Sequence, residues 1–367
     1  MVCISGDLAD PGFKAFTLDT PLATPTGWTT ILDLRPGVEL LDERGYATPV
    51  LAVTDPTTYR TCQKVRFDDG AELIAHSGNS WSAINSGRRA RARQGVVDWR
   101  DRWDLAERVL GPALERRSKI GASSASNWSI PLCRPLELGD GDLPLPPYVL
   151  GAWLGDGCKD SATMTTCDQW MIEEFRRQGM AVSMRAARVR DRSVDFGFRP
   201  DDGVLNLPDH KGRGKTQLKA AGVFQNKHFP QGYLRGSRQQ RLDLLRGFMD
   251  TDGFWMGARS AAVEQRDRVL AEGLVELVRS LGWRAFMTAQ SRPHPNRPGD
   301  IYHYWHVNFT PTECPFALPR KASRWSGEAD RRHTHRTVVS VEAVTRRRVR
   351  AVKVAGMFLA GSGMVPV

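Results

Sequence analysis

The sequence predicts a mixed α/β protein in which an all-β module is split by an inserted, internally duplicated α/β module. Three observations predict it. Short strand-like runs broken by turn dipeptides fill residues 15–81 and return at 333–367. Two apolar runs, "VLGAWLGDG" (149–157) and "LRGFMDTDG" (245–253), each carry an internal glycine and end in Asp-Gly. Each of these is trailed by the same order of elements, a helix and then a strand, and a repeat is stronger evidence than a single motif.

Along the chain, "TTILDL", "VELLD", "TPVLAVTD", "QKVRF" and "AELIA" read as strands between residues 29 and 75. Residues 99–116 read as a helix, and the Ser/Gly-rich "SKIGASSASN" (118–127) as a linker. After Asp156-Gly157 comes a helical "CDQWMIEEFRRQG" (167–179) and a strand-like "AVSMRAARV". After Asp252-Gly253 come the helical "RDRVLAEGLVELVRSLG" (266–282) and the strand-like "WRAFMTAQ". "HYWH" (303–306) has helical ligand spacing, but its Tyr- and Trp-rich surroundings read as strand. His303 and His306 are therefore expected to be structural or partner-facing, not metal ligands.

Asp156 and Asp252 raise a physical question, because a helix C-terminus carries partial negative charge and a carboxylate there is electrostatically misplaced. The glycines point to the reason. Gly151 and Gly247 lie 96 residues apart, as do Asp156 and Asp252. A mid-helix glycine costs about 1 kcal/mol relative to alanine. Its recurrence at matching positions predicts two helices whose backbones approach closely, with both acids at one end. Like charges held together repel unless a cation lies between them, and hard divalent cations take oxygen ligands.

Composition limits the functional classes. At 367 residues, 41% hydrophobic and 25% charged, the chain is expected to form two or three globular domains. No apolar run reaches the roughly 18 residues of a membrane span, and no secretory signal segment is visible. Its six cysteines are scattered, which suggests neither a zinc site nor a disulfide framework, and the expected location is the reducing cytoplasm. A net charge of +11 favours a polyanionic partner, although a basic surface alone would give the same number.

The paired motifs resemble those of the LAGLIDADG (DOD-type) homing endonucleases. "FTLDTPLATPTGWTTILDL" (16–34) and "MFLAGSGMVPV" (357–367) resemble the two ends of an intein. Such elements commonly carry this endonuclease between two halves of a β-rich, horseshoe-like Hint splicing fold. The resemblance implies a host-protein (extein) stub at 1–14, Hint parts at 15–117 and 326–367, a linker at 118–127, and a pseudo-two-fold α+β endonuclease at 128–325. It implies that Asp156 and Asp252, with Gly155 and Thr251 beside them, hold Mg²⁺ or Mn²⁺ for phosphodiester hydrolysis. Lys227 in "NKHFP" and Lys321 in "LPRKASRW" match the family's lysine-bearing segments. The partner implied is double-stranded DNA with a long, asymmetric target site in a phage or bacterial host gene. One chain supplies both halves, so a monomer suffices. Arg185, Arg188, Arg190, Arg192 and Arg284 follow the motifs on strand-like segments and are the DNA-binding candidates.

The same resemblance places the splicing positions at Ala15, Asn79, His76, Trp81 and Ala351. An acyl shift needs a thiol or hydroxyl, and Ala15 has neither. An intein subclass uses a later cysteine with a tryptophan. Trp81 matches that tryptophan, but Ala351 stands where the cysteine belongs. Asn79 stands where the family has histidine, with His76 three residues upstream, and no terminal His-Asn pair follows Val367. The expectation is a DNA endonuclease in a scaffold that no longer splices. The alternative is a splicing element with an inert DNA-binding insert.

Overall fold

The computed structural model describes residues 12–59, 61–93, 103, 106–115, 117–120, 123–188, 193–201, 213–293, 299–327 and 334–367. The chain divides into two compact units. Unit 1 comprises Met1–Leu138, Arg279–Arg284 and Asp330–Val367, and unit 2 comprises Gly139–Val278 and Ala285–Ala329.

Unit 1 is β-rich because its sequence alternates short apolar runs with turn residues, and its one described α-helix is the basic α1 (Ser86–Arg93). Strands from both ends of the chain interleave in its ten-stranded sheet. His335–Val344 lies between Trp128–Pro131 and Cys62–Phe67, and Arg347–Lys353 lies between Phe13–Thr17 and Ala52–Val53. Neither segment of the chain can complete this sheet alone. Phe16, Trp81, Phe67 and Phe358 fill its core, with Phe16 edge-on to both Trp81 and Phe358.

Three local expectations are corrected here. Within the described part of 99–116 the chain forms a strand, Glu107–Leu110, and a 3-10 turn, Gly111–Glu115, in place of a helix. The strand pairs with Ser80–Asn85, and a sheet partner outweighs a weak helical pattern. Arg117–Ile120 and Ser123–Ser126 pair antiparallel, so the described part of the expected linker is two paired strands. Trp128–Pro131 is a buried strand of the large sheet, so the second unit begins at Gly139 and not at 128.

Unit 2 contains α2 (Pro147–Asp156), α3 (Gln169–Arg177), α4 (Arg213–Ala220), α5 (Gln231–Leu234), α6 (Arg238–Asp252), most of α7 (Arg268–Ser280) and α8 (Pro319–Ala322). Proline at its first position starts α2, where no N–H is needed. A Ser237/Gln240 capping box starts α6. Two small antiparallel sheets follow the pair, one of three strands and one of four.

The two glycine-bearing helices lie side by side in parallel. A Cβ on Gly151 would run into the Leu244 carbonyl and stand 2.9 Å from the Phe248 nitrogen. A Cβ on Gly247 would run into the Tyr148 carbonyl and stand 2.8 Å from the Ala152 nitrogen. The terminal Gly157 and Gly253 do not serve a left-handed turn, since their φ values are −71° and −82°. Each is small because the chain doubles back over its own helix, and its N–H bonds the carbonyl of Trp153 or Met249.

Gly151→Leu or Gly247→Leu is therefore expected to destabilise the protein by at least about 1–3 kcal/mol, with the larger cost where backbone is struck. Gly232→Ala in α5, whose added Cβ meets nothing within 4 Å, is expected to cost nothing. Thermal unfolding by circular dichroism compares the three, and equal melting temperatures would refute the close crossing.

Candidate functional site

The parallel crossing brings the last residues of α2 and α6 together. A Cβ on Gly155 would lie 3.3 Å from Asp252 Oδ1, so Asp252 reaches across to the end of the partner helix. Gln265 Nε2 donates to Asp252 Oδ2 at 3.3 Å. Burial raises the Asp252 carboxyl to about 6, and the Asp156 charge adds to the effect. Asp156 keeps more contact with solvent, and its carboxyl is also raised by desolvation.

Two lysines answer the misplaced charge in equivalent ways. Lys227 Nζ donates to the carbonyls of Leu154 and Gly155, both at 3.0 Å, at the end of α2. Lys321 Nζ donates to Met249 O at 2.9 Å, Asp250 O at 2.8 Å and Gly253 O at 2.6 Å, at the end of α6. Each ammonium also sits over an aromatic ring, Lys227 over Trp153 and Lys321 over Phe316. Lysine at a helix C-terminus satisfies orphan carbonyls and opposes the dipole. Burial lowers Lys321 to about 8, with Arg320 adding to the shift, and it also lowers Lys227. The carbonyls of Gly155 and Thr251 already accept from these lysines, the latter at 3.3 Å.

Asp250 has no acid opposite it in the first motif, and its surroundings explain why it is there. It accepts from Tyr148 Oη at 2.9 Å, Ala317 N at 3.1 Å and Leu318 N at 2.9 Å. It ties α6 to α2 and to the start of α8. Burial raises it to about 6, against these donors, while the same burial and the Asp250 charge push the Tyr148 hydroxyl up.

Among the DNA-binding candidates, Arg185 is exposed on the strand Met180–Arg188. The Arg188 side chain, Arg190 and Arg192 lie outside the described residues. Arg284 is not available. It is buried in unit 1 and pairs with Asp68 at 2.5 Å, which the sequence did not signal because the two are far apart in the chain. Sequence reading also missed Arg199 and Lys215, which line a groove with Arg185, and Arg292, which lies against Tyr302 and Tyr304. His303 and His306 lie on the strand Ile301–Thr310, where they are outside any metal-ligand cluster among the described residues.

The positions expected to take part in splicing lie in unit 1. Ala15 is fully buried and pairs directly with Ala351 across neighbouring strands. Asn79 clamps Ala15 at both backbone groups, accepting its N–H at 2.9 Å and donating to its carbonyl at 3.0 Å. His76 instead engages Thr61 Oγ1 at 3.2 Å and accepts the Gly78 N–H at 3.1 Å, and burial lowers its pKa. Trp81 is a core residue, 1% exposed.

The raised Asp252 pKa has a definite sign. Unfolded, this carboxyl ionises near its ordinary value, so the folded protein binds its proton more tightly. This carboxyl's contribution is full below pH 3.8, is lost as pH rises to about 6, and stays lost above it. Asp252→Asn is therefore expected to raise the melting temperature at pH 8 and to leave it unchanged at pH 4. Asp250→Ala is expected to lower it at both, by about 1–3 kcal/mol for each donor stranded. Calorimetry at the two pH values checks both, and a destabilising Asp252→Asn at pH 8 would contradict the strained pair.

No family model matches the chain. It is 32% identical over 377 residues to the replicative DNA helicase DnaB of Mycobacterium intracellulare, an alignment covering 98% of this chain and 59% of that protein. It is 43% identical over 74 residues to the replicative DNA helicase DnaB of Mycobacterium leprae, covering 20% of this chain and 12% of that protein. The chain thus spans less than two thirds of the length of the curated relatives it matches. Among solved structures, it is 44% identical to the MchDnaB-1 intein over 20% of this chain and 54% of that one, with a TM-score of 0.18. The chain is thus similar to DnaB and, in part, to inteins found in DnaB.

Proposed function

We propose that this chain is an intein of a replicative-helicase gene that carries a two-motif LAGLIDADG endonuclease, and that it cuts double-stranded DNA at a specific site while its upstream splicing chemistry is silent. The observation that carries the cleavage reading is the paired Asp156 and Asp252 at the ends of two glycine-packed helices. Two raised carboxyls brought together from two helix ends, with lysines behind them, are a pair suited to a divalent cation. Its hard oxygen donors fit Mg²⁺ or Mn²⁺, with water and phosphate oxygens completing the shell.

A cation bound there would lower the pKa of its water and offset charge developing on the phosphate. The protein groups do the rest. Asp156 and Asp252 supply one carboxylate from each half, and Gln265 holds Asp252 from the side. Lys227 and Lys321 hold the helix ends and keep positive charge beside the acids, so that the two carboxylates ionise without expelling each other. Phosphate contacts from the strand faces supply most of the affinity.

Splicing is the parent activity. Ala15 offers no sulfur or oxygen to attack the Lys14 carbonyl, and Ala351, its cross-strand neighbour, offers no thiol. Asn79 holds the Ala15 backbone but has no imidazole to donate a proton near neutral pH. The alternative, a splicing element with an inert insert, is disfavoured by these same residues.

A plasmid carrying the uninterrupted host-gene site is expected to be linearised by the purified chain with Mg²⁺ and to stay intact without it. Asp156→Asn and Asp252→Asn are each expected to abolish cutting while DNA retention in a gel-shift assay changes little. Near-normal cutting by both variants would remove the assignment. On the splicing side, mass spectrometry after prolonged incubation with and without a thiol is expected to find no fragment beginning at Ala15. Such a fragment would show that the upstream junction retains chemistry.

A further inference from the structure

We propose that the two small sheets of unit 2 read chemically different half-sites: the three-stranded sheet a half that specifies G·C pairs through Arg185, and the four-stranded sheet a half that specifies A·T pairs through Gln290, Asn308 and Phe254. This rests on the DNA-endonuclease reading above and adds the composition of the site.

In the three-stranded sheet, one face is sealed by α3, where Phe175 meets Phe196 and Phe198 edge-on at 5.3 Å. The other face carries Thr163, Gly197 and Ser183 in register. Arg185 is the extra residue of a β-bulge between Met184 and Ala186. Bulges re-aim side chains, and this one lays the guanidinium over Gly197, whose missing Cβ would stand 3.3 Å from Nε and 3.6 Å from Nη2. The side chain lines a groove of about 630 Å³ shared with Arg199 and Lys215. Arg185 has no ion pair among the described residues, and the nearby Asp195 already accepts from Thr165 Oγ1 at 2.7 Å. A free, flat, pre-aimed guanidinium is the group that bonds guanine O6 and N7 together.

The four-stranded sheet presents another chemistry. Trp255, Ala261 and Phe309 are buried in register on one face, and Phe254, Ala262 and Asn308 share the other. Arg292 lies near this outer face, paired with Glu264 at 2.8 Å and held against the rings of Tyr302 and Tyr304, and Arg266 lies over Tyr302 as well. Tyr304 Oη donates to Gln290 Oε1 at 3.0 Å, which fixes the amide and leaves its NH₂ to donate outward. Beside that ion pair, Gln290, Phe254 and Met256 are exposed and Asn308 is half-buried, with His306 next to Phe254. Amides pair with adenine N6 and N7, and apolar side chains meet the thymine methyl.

The test is selection from a fully randomised duplex library by the purified chain without divalent cation, so that retained DNA stays uncut. Wild type is compared with Arg185→Lys, Arg185→Ala and the Gln290→Ala/Asn308→Ala double variant. Wild type is expected to enrich a site with a G·C-specifying half and an A·T-specifying half. Arg185→Lys keeps the charge but not the fork, so it is expected to retain affinity and lose guanine preference in the first half by about ten-fold or more, leaving the second half intact. Arg185→Ala is expected to lose the same preference, and the double variant to relax only the second half. Both sets relaxing the same half, or unchanged preferences in the Arg185 variants, would overturn the proposal while the DNA reading stands. Enrichment of no sequence by wild type would overturn both.

Discussion

The crossing of α2 and α6 is the constraint on which the acidic site depends. Gly151 and Gly247 let one helix backbone rest on the other, so the two helices end at the same place. Any side chain at either glycine separates the axes and the carboxylates with them. The arrangement has an electrostatic cost, because two acids are gathered at the negative ends of two parallel helices. Burial first, and the Asp156 charge second, make Asp252 a carboxyl that holds its proton to about pH 6. The strain is local and has local compensation: Lys227 and Lys321 occupy the last carbonyls, replacing the solvent that the crossing excludes.

The halves are alike in that frame and differ in its supports. Lys321 takes carbonyls on both sides of Asp252 and is more deeply committed than Lys227. Asp250 is a brace that fastens the second motif to Tyr148 and the start of α8, where the first motif has Leu154 and needs none. Asp250 and Asp252 therefore lie two residues apart at the end of α6 with different partners. Asp250 is held by three donors and Asp252 by one long hydrogen bond, while burial raises both carboxyls to about 6. Stability and the proposed chemistry draw on neighbouring carboxylates in different ways.

On the proposed reading, unit 1 holds a splicing site without its reactive atoms. Ala15 and Ala351 face each other in register, and Asn79 satisfies both backbone groups of Ala15. Alanine leaves strand geometry intact, because the pairing is made by backbone and the small side chains are buried without strain. On that reading the absence of a nucleophile and retention of the fold are compatible, since different atoms carry them.

Sequence alone determined the features that are local or periodic. The alternating strands of the β-rich unit, the helix–strand repeat and the matched glycines were legible because each is written within a few residues, and the 96-residue offset placed both acids at corresponding helix ends. The break in the β-rich unit was legible too, though its edge was not: Trp128–Pro131 belongs to the large sheet because its strand partners lie hundreds of residues away or in the opposite direction along the chain. Only the tertiary structure decided that Arg284 spends its charge on Asp68, that Glu107–Leu110 becomes a strand, and that Gly157 and Gly253 are small for space and not for a left-handed turn. It alone set the two lysines on helix-end carbonyls and turned Arg185 over Gly197. A side chain's partner is a matter of distance in space, and a chain's local pattern records which face is apolar without recording what will lie across from it.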